Sequence, residues 1–455
     1  MFATMPVPSD TLELRRYQQE GIAYLTRYKR TILADEQGVG KTPQALVAAR
    51  NLTQGRILVV APKTAAEVWI DHAADWLGEE AKTYQGMTRA YEDLDNASIV
   101  VTNYHLLKEV VARHPHWSLI IYDEAHKLRN RERKTLYGVA SKVSSMYLFF
   151  LTGTPIFSSA ADLWPLLHII NPKYFQSYWG FARTWTHIHQ EQYGPRTVTK
   201  VEGVKDPKRL QYLLNKEGFM IRRLKRDVMP ELPPKQRVEW TLQMNPRQAT
   251  AYKQLTKELF IELEGTKEGQ ILLVPSKLAL ITRLRQLLVS PRLLGLDFEG
   301  AAIEALTEQL GESQDAALVF TPFAEALPLL EEAMAKIGRE TRTIRGGMNE
   351  RKLDENIKWF QSYRGSREPV LLSSLLMGTS WTATRATQAY FLGYDWSPSN
   401  NFQAEDRLHR FGQKSATTVY YYVHRGTVDE HLMDILDKKV TVAKLVLDMR
   451  RFVLP

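Results

Sequence analysis

The chain contains no cysteine. Disulfides, thiol catalysis and every Cys-ligated zinc or iron–sulfur centre are excluded with it. Histidine is scarce. Its close pairs, His114 with His116 and His187 with His189, have no carboxylates beside them at metal-ligand spacing, so a structural zinc is not expected. Long apolar runs are missing as well. The longest uncharged stretch, Val143 to Ala161, is broken by Thr152-Gly153-Thr154-Pro155 and several serines and does not read as a membrane span. The opening MFATMPVPSD has neither the basic start nor the apolar core of a secretory signal. There is no short repeat, low-complexity tract or long single-sign tail. What is present is ordinary for a folded protein. The 455 residues are 44% hydrophobic and 24% charged, enough apolar material to build large cores in roughly two to four domains. The composition predicts a soluble, basic, multidomain protein.

The basic excess is uneven. Residues 1–240 carry a net charge of +8 and residues 241–455 only +1. Arg196 to Arg237 alone carries +7, including Arg222-Arg223-Leu224-Lys225-Arg226. Such a stretch is either a solvated helical face or a strip that contacts phosphates.

Short aliphatic and β-branched runs alternate with helical patterns along the first part of the chain. Thr31–Ala34, Ile57–Ala61, Ser98–Thr102, Leu119–Tyr122 and Tyr147–Leu151 read as buried parallel strands. Residues 160–235 read as a more helical, aromatic-rich segment. Leu232-Pro233-Pro234 breaks any helix and marks a boundary. A second series follows: residues 238–244, Ala317–Thr321, Thr341–Arg345, Val370–Ser374, Ala389–Gly393 and Thr418–Val423. Two α/β units result, residues 1–235 and 236–455, the second closing in an amphipathic helix over Thr427–Val446.

The first strand runs into Asp35-Glu36-Gln37-Gly38-Val39-Gly40-Lys41-Thr42. Asp35 stands where a strict phosphate loop has its first glycine, but the chemical end of the motif is intact. Gly38 and Gly40 let backbone N–H groups close around phosphate oxygens, Lys41 can reach the β/γ-phosphates, and the Thr42 hydroxyl can ligate magnesium. A helix beginning at Lys41 adds its positive end. The run Leu119–Tyr122 ends in Asp123-Glu124-Ala125-His126. An acid at the carboxyl end of such a strand is placed to hold magnesium, which makes Asp123 the candidate ligand. Glu124 is placed to orient or deprotonate an attacking water, and His126 to couple this site to the next motif.

With these residues in view, nearly the whole chain, Leu12 to Ile435, resembles the superfamily-two helicases, and more narrowly the Swi/Snf-type ATPases. Arg16 to Gly21 is similar to the family's Q motif, in which Gln18 would read adenine. Asp35–Thr42, including Val39, is similar to its first motif, which commonly lacks the strict glycine. The resemblance thus counts Asp35, Val39 and Gln403 among nucleotide-binding residues. Ala61 to Thr64 and Thr102 to Tyr104 resemble motifs Ia and Ib, which implies DNA contacts for Lys63, Thr64 and Thr102. The nearby Trp69 and Trp76 are read as core packing. Leu151 to Pro155 matches motif III, and Arg222 to Lys235 matches a Swi/Snf-type signature. In the second unit Leu318 to Thr321 resembles motif IV. Arg345-Gly346-Gly347-Met348 resembles a DNA-contact loop, and Ser373-Ser374 to Thr379 the motif V region. Gln403 to Gln413 resembles motif VI, with Arg407 and Arg410 as arginine fingers. The wording Gln-Ala-Glu-Asp-Arg, the later Tyr420–Val423 and the spacing around Met377-Gly378 are most similar to the HARP-type annealing-helicase branch, without its accessory modules. Two departures are Thr379-Ser380-Trp381 in motif V and Phe157, where a glutamine is common.

The resemblance implies an α/β fold of two tandem RecA-like domains with an ATP cleft between them and helical insertions. It implies ATP and magnesium as cofactors. Its partner would be duplex or branched DNA with little sequence preference, gripped by Lys63, Thr64, Thr102, Arg222, Arg223, Arg345, Gly346 and Ser374. DNA-bound proteins would be further substrates. A monomer working in the cytoplasm of a bacterium or virus-infected cell, or in a eukaryotic nucleus, is expected. Strand separation or annealing, and a non-catalytic scaffold derived from the motor, are the competing activities.

Overall fold

The computed structural model describes residues 13–86, 94, 96–132, 136–193, 196–264, 275–375 and 381–447. The chain opens with a helix, Arg16–Tyr28, and then lays down β1 (Arg30–Leu33), β2 (Ile57–Ala61), β3 (Ala81–Thr83), β4 (Ile99–Asn103), β5 (His116–Asp123) and β6 (Ser144–Leu151). An antiparallel hairpin follows, β7 (His187–Tyr193) with β8 (Arg196–Glu202), and then β9 (Met220–Ile221). Seven of these strands form one parallel sheet in the order β3-β4-β2-β5-β6-β1-β9. A second parallel sheet is built from β10 (Lys235–Leu242), β11 (Ala317–Thr321), β12 (Thr341–Ile344), β13 (Val370–Ser374), β14 (Gln388–Phe391) and β15 (Thr417–His424), in the order β10-β15-β14-β11-β13-β12. Each sheet with its helices is called a lobe below.

The strands read as unbroken apolar runs because helices cover both faces. Alternation is present but hidden. Leu58, Val60, Ile120, Tyr122, Leu148 and Phe150 enter one core, while Ile57, Val59, Leu119, Ile121, Phe149 and Leu151 enter the core on the opposite face. The second sheet divides likewise, with Leu318, Phe320, Leu371 and Phe391 on one face and Val319, Val370, Leu372 and Tyr390 on the other. Each fully buried aliphatic side chain contributes roughly 1.5–3 kcal/mol, so these stripes hold the lobes rigid.

The expected strands are all present, with ends moved by a few residues. The expected helical segment 160–235 needs correction: it also contains the β7–β8 hairpin, and β9, which returns to the first sheet. The hairpin strands are polar on both faces and carry no buried stripe to announce them. Helix Val428–Leu447 buries Leu432 and Leu436 in the second lobe's core and also touches helix Pro207–Lys216 of the first lobe. No helix among the described residues is long and apolar enough to cross a membrane.

Candidate functional site

In the first sheet β5, β6 and β1 are neighbours. Their carboxyl ends therefore deliver Asp123, Thr152 and the Asp35–Lys41 loop to one place, as open parallel sheets do. The loop turns on Gly38 and Gly40, at φ +78° and +74°, a backbone region glycine enters without strain. At Gly40 a β-carbon would come within 2.5 Å of Gln18 Nε2. Gln18 is thus packed against the loop, its Oε1 accepting the Arg15 N–H at 2.9 Å. Lys41 Nζ donates to the Asp35 and Glu36 carbonyls at 2.9 and 3.2 Å. Buried Val39 accepts from the Tyr17 hydroxyl through its carbonyl.

Asp123 is held from two sides. Its Oδ2 accepts the Trp69 indole N–H at 3.0 Å and its Oδ1 the Glu124 N–H at 2.9 Å. Glu124 has φ +51°, a strained backbone for a side chain of its size. That turn aims its carboxylate into the cleft. His126 Nδ1 lies 3.2 Å from Glu124 Oε2 and 3.2 Å from Thr152 Oγ1, linking the acidic string to the next motif.

The second lobe faces this arrangement. Gln403 Nε2 donates to Glu124 Oε1 at 3.2 Å. Arg407 and Arg410 each direct an Nη1 to the Trp381 carbonyl, at 3.3 and 3.4 Å. One cavity of about 400 Å³ is lined by Gly38, Gly40, Lys41 and Thr42, by Asp123, Glu124 and His126, and by Gln403, Arg407 and Arg410.

Comparison with known proteins decides the family. The model of the SNF2-related domain matches residues 17–293, and that of the helicase conserved C-terminal domain matches residues 301–412. The chain belongs to the SNF2-related family. It is 28% identical to the CHD3-type chromatin-remodeling factor CHR7 of Arabidopsis thaliana, over 95% of this chain and 37% of that protein. It is also 28% identical to the human DNA annealing helicase and endonuclease ZRANB3, over 96% of this chain and 41% of that protein. The chain thus spans less than half the length of these relatives. A Sulfolobus solfataricus SWI2/SNF2 ATPase core, solved with dsDNA, aligns over 98% of this chain and 100% of its own, at 22% identity and a TM-score of 0.45. The two parallel α/β lobes together carry the SNF2-related and helicase C-terminal domains.

Electrostatics in this SNF2-related core follow from burial. Burial and the adjoining Glu124 charge push the Asp123 carboxyl up to about 6. Burial would raise Glu124 as well, but His126 and Lys41 outweigh it and hold that carboxyl below its ordinary range. Burial lowers Lys41 against the pull of Glu124, Asp35 and Asp123. Burial and Arg410 bring Arg407 down to about 10. The donors present suit a magnesium ion: a carboxylate made uncomfortable by burial and a hydroxyl, both hard oxygens, line one cavity.

Several expected contacts are corrected. Arg223 is buried, not presented to DNA. Its guanidinium pairs with both Asp35 oxygens, the Tyr17 carbonyl and Gln44 Oε1. Asp35 is fully buried by the same pair, so its carboxylate braces the loop and does not face a nucleotide. Arg222 donates to the Ala34 and Gly153 carbonyls and ties the loop to motif III. The basic strip Arg196–Arg237 is therefore not one phosphate-contacting surface. Lys225 and Lys235 turn inward to Asp406 and Glu405, and the half-exposed Arg237 pairs with Glu405. Thr102 and Ser374 are buried in β4 and β13. Lys63 is exposed at the start of the short 3₁₀ turn Lys63–Ala65, and Arg345 and Gly346 are exposed on the loop after β12. The Thr64 side chain and residues 376–380, with Met377 to Ser380 of motif V, lie outside the described residues.

Three residues at the site escaped the sequence reading. Trp69 is core packing as expected, but its N–H also orients Asp123. Trp381, noted only as a departure, supplies the carbonyl shared by both arginines. Glu405 anchors motif VI. None carries a sequence signal apart from its place in a motif, because each acts through a partner distant in the chain.

Proposed function

We propose that this chain is a DNA-stimulated ATPase that couples hydrolysis to translocation on duplex DNA and so remodels DNA structures or protein–DNA complexes. One observation carries the reading. Lys41, Thr42, Asp123 and Glu124 from one lobe and Gln403, Arg407 and Arg410 from the other line a single cavity.

Within that cavity Lys41 and the backbone N–H groups of the Gly38–Gly40 turn hold the phosphate tail. Gln18 is placed beside the same turn to read the base. Thr42 and Asp123 would hold magnesium, which when bound neutralises phosphate oxygens. Glu124, kept ionised by His126, orients and deprotonates the attacking water. Arg407 and Arg410 oppose charge developing on the γ-phosphate, a contribution on the order of 10³–10⁵ in other nucleotidases. His126 passes changes at Glu124 to Thr152 and motif III. Lys63, Arg345 and Gly346, exposed on the surfaces of the two lobes, grip backbone phosphates, so sequence preference is weak. Opening and closing of the cleft then moves one lobe past the other along DNA.

The test is ATP turnover with and without duplex DNA. Lys41→Ala should abolish turnover while leaving DNA affinity nearly unchanged. Arg410→Ala should bind ATP and turn it over at least 10³-fold more slowly. Near-wild-type turnover in Lys41→Ala would end the assignment, and DNA-independent turnover would remove its DNA-coupled part. Triplex displacement compared with strand unwinding and annealing separates translocation from the competing helicase activities.

A further inference from the structure

Lys225 is a lysine with only 4% of its surface exposed. It opens the short helix Lys225–Val228 in the first lobe, and its backbone N–H donates to Glu36 Oε2 at 2.8 Å. Its base is thus fastened to the phosphate loop. Its side chain crosses to the other lobe. Nζ donates to Asp406 Oδ1 at 2.7 Å and to the His409 carbonyl at 2.9 Å. Along the way it lies over the loop itself. A β-carbon on Gly38 would stand 3.2 Å from Lys225 Cε and 3.6 Å from Arg410 Cβ. Asp406 and His409 immediately precede Arg407 and Arg410. One ammonium therefore pins both steps of the turn that carries the arginine pair, against the glycine around which phosphates are held.

Two features separate this contact from ordinary surface pairing. Both partners are nearly dry, at 4% and 11% side-chain exposure, so salt screens the pair little. The neighbouring Glu405 takes Lys235 and Arg237, and Lys235 also stands 3.6 Å from Asp406 Oδ1, so Lys225 makes the shorter of two cation contacts to Asp406 and adds the bond to the His409 carbonyl. A buried ion pair is by itself weak evidence of stability, and this one crosses from one lobe to the other. Its use is therefore geometric.

We infer that Lys225 is a positioning residue for the arginine pair, bolting the motif VI turn of one lobe to the phosphate loop of the other. The inference rests on the ATPase reading above. Without the bolt the turn can pivot. The arginines then miss the transition state, while the phosphate loop still binds nucleotide. Misplacement of this kind by about 1 Å costs on the order of 10²-fold in rate.

The test is a double-mutant cycle in the full chain at saturating duplex DNA, using Lys225→Met, Asp406→Asn and the pair together. Four quantities are read: kcat, KM for ATP, affinity for a fluorescent ATP analogue, and amide hydrogen exchange over residues 406–413. Lys225→Met should lower kcat about 10- to 100-fold with analogue affinity held within about threefold, and should speed exchange in the turn. The double variant should be no worse than the poorer single, because both singles break one contact. Should Lys225→Met fail to fold because Asp406 keeps only its longer contact to Lys235, the double variant lacks that charge and takes its place. Unchanged kcat and exchange, or losses that multiply across the cycle, would overturn the inference. The exchange measurement needs no turnover. A wild-type chain without ATPase activity therefore defeats the ATPase reading alone, and unaltered exchange defeats the bolt alone.

Discussion

Asp123 shows how a single residue can be set against the stability of its own fold. Its carboxyl titrates near 6 in the folded chain because burial and Glu124 disfavour the charge, whereas an unfolded Asp titrates near about 3.9. Above pH 6 the folded state must hold a charge it disfavours. Below about pH 4 both states are protonated and the penalty vanishes. Asp123→Asn should therefore raise the Tm of the nucleotide- and metal-free protein by several degrees at pH 7.5, and the gain should shrink between pH 6 and pH 4. Turnover should be lost in the same variant. Thermal melts across that range are the check; a gain that persists at pH 4 would mean the shift has another origin. Trp69 and Tyr104 belong to the same scale. The Tyr104 hydroxyl donates to the Asp123 carbonyl at 2.6 Å, so aromatic side chains from two other elements hold this one acid in place. Their motif positions were readable from sequence; their hydrogen bonds to Asp123 were not, since nothing local encodes a partner tens of residues away.

At the scale of elements, the junction of β10 with helix Pro398–Glu405 is the clearest case. Glu405 is fully buried and receives Lys235 at 2.7 Å, Arg237 at 2.7 and 2.8 Å, and the Tyr421 hydroxyl at 2.8 Å. Burial alone would raise its carboxyl, but the two cations reverse that and hold it at about 2. Its contribution is complete above the unfolded value of about 4.3 and disappears as pH falls toward 2. Glu405→Gln should cost about 1–3 kcal/mol, because the part-buried Lys235 and the half-exposed Arg237 lose a charged hydrogen-bond partner. Denaturant unfolding at pH 7 measures this, and the difference from wild type should narrow below pH 4. The prediction fails if the two proteins unfold at the same denaturant concentration at pH 7. A cluster that looks from sequence like a DNA-seeking basic strip is here the fastening between a strand and the motif VI helix.

For the whole molecule, the net charge of +9 has a different meaning once the fold is known. Arg222, Arg223, Lys225 and Lys235 of the dense basic stretch close on internal acids and carbonyls, so DNA affinity should depend on exposed cations elsewhere, Lys63 and Arg345 among them. Lys63→Ala and Arg345→Ala should each weaken duplex binding modestly, at most about tenfold, and reduce the slope of log affinity against log salt by about 1. Arg223→Ala should leave that slope unchanged while destabilising the fold, a contrast that salt titration of binding resolves. The two parallel sheets, the phosphate loop, the acidic string and the paired arginines were legible in the chain alone. These rest on local spacing: aliphatic runs of strand length, glycines where the backbone must turn back, and residues three apart on one helical face. Which cations stay exposed depended on the packing of the folded chain. A guanidinium three positions from another looks the same in the chain whether it meets solvent, as Arg226 does, or a buried carboxylate, as Arg223 does. Charge is written in the sequence, but burial and partners arise where strands distant in the chain come side by side, and those set whether a charge is available to DNA.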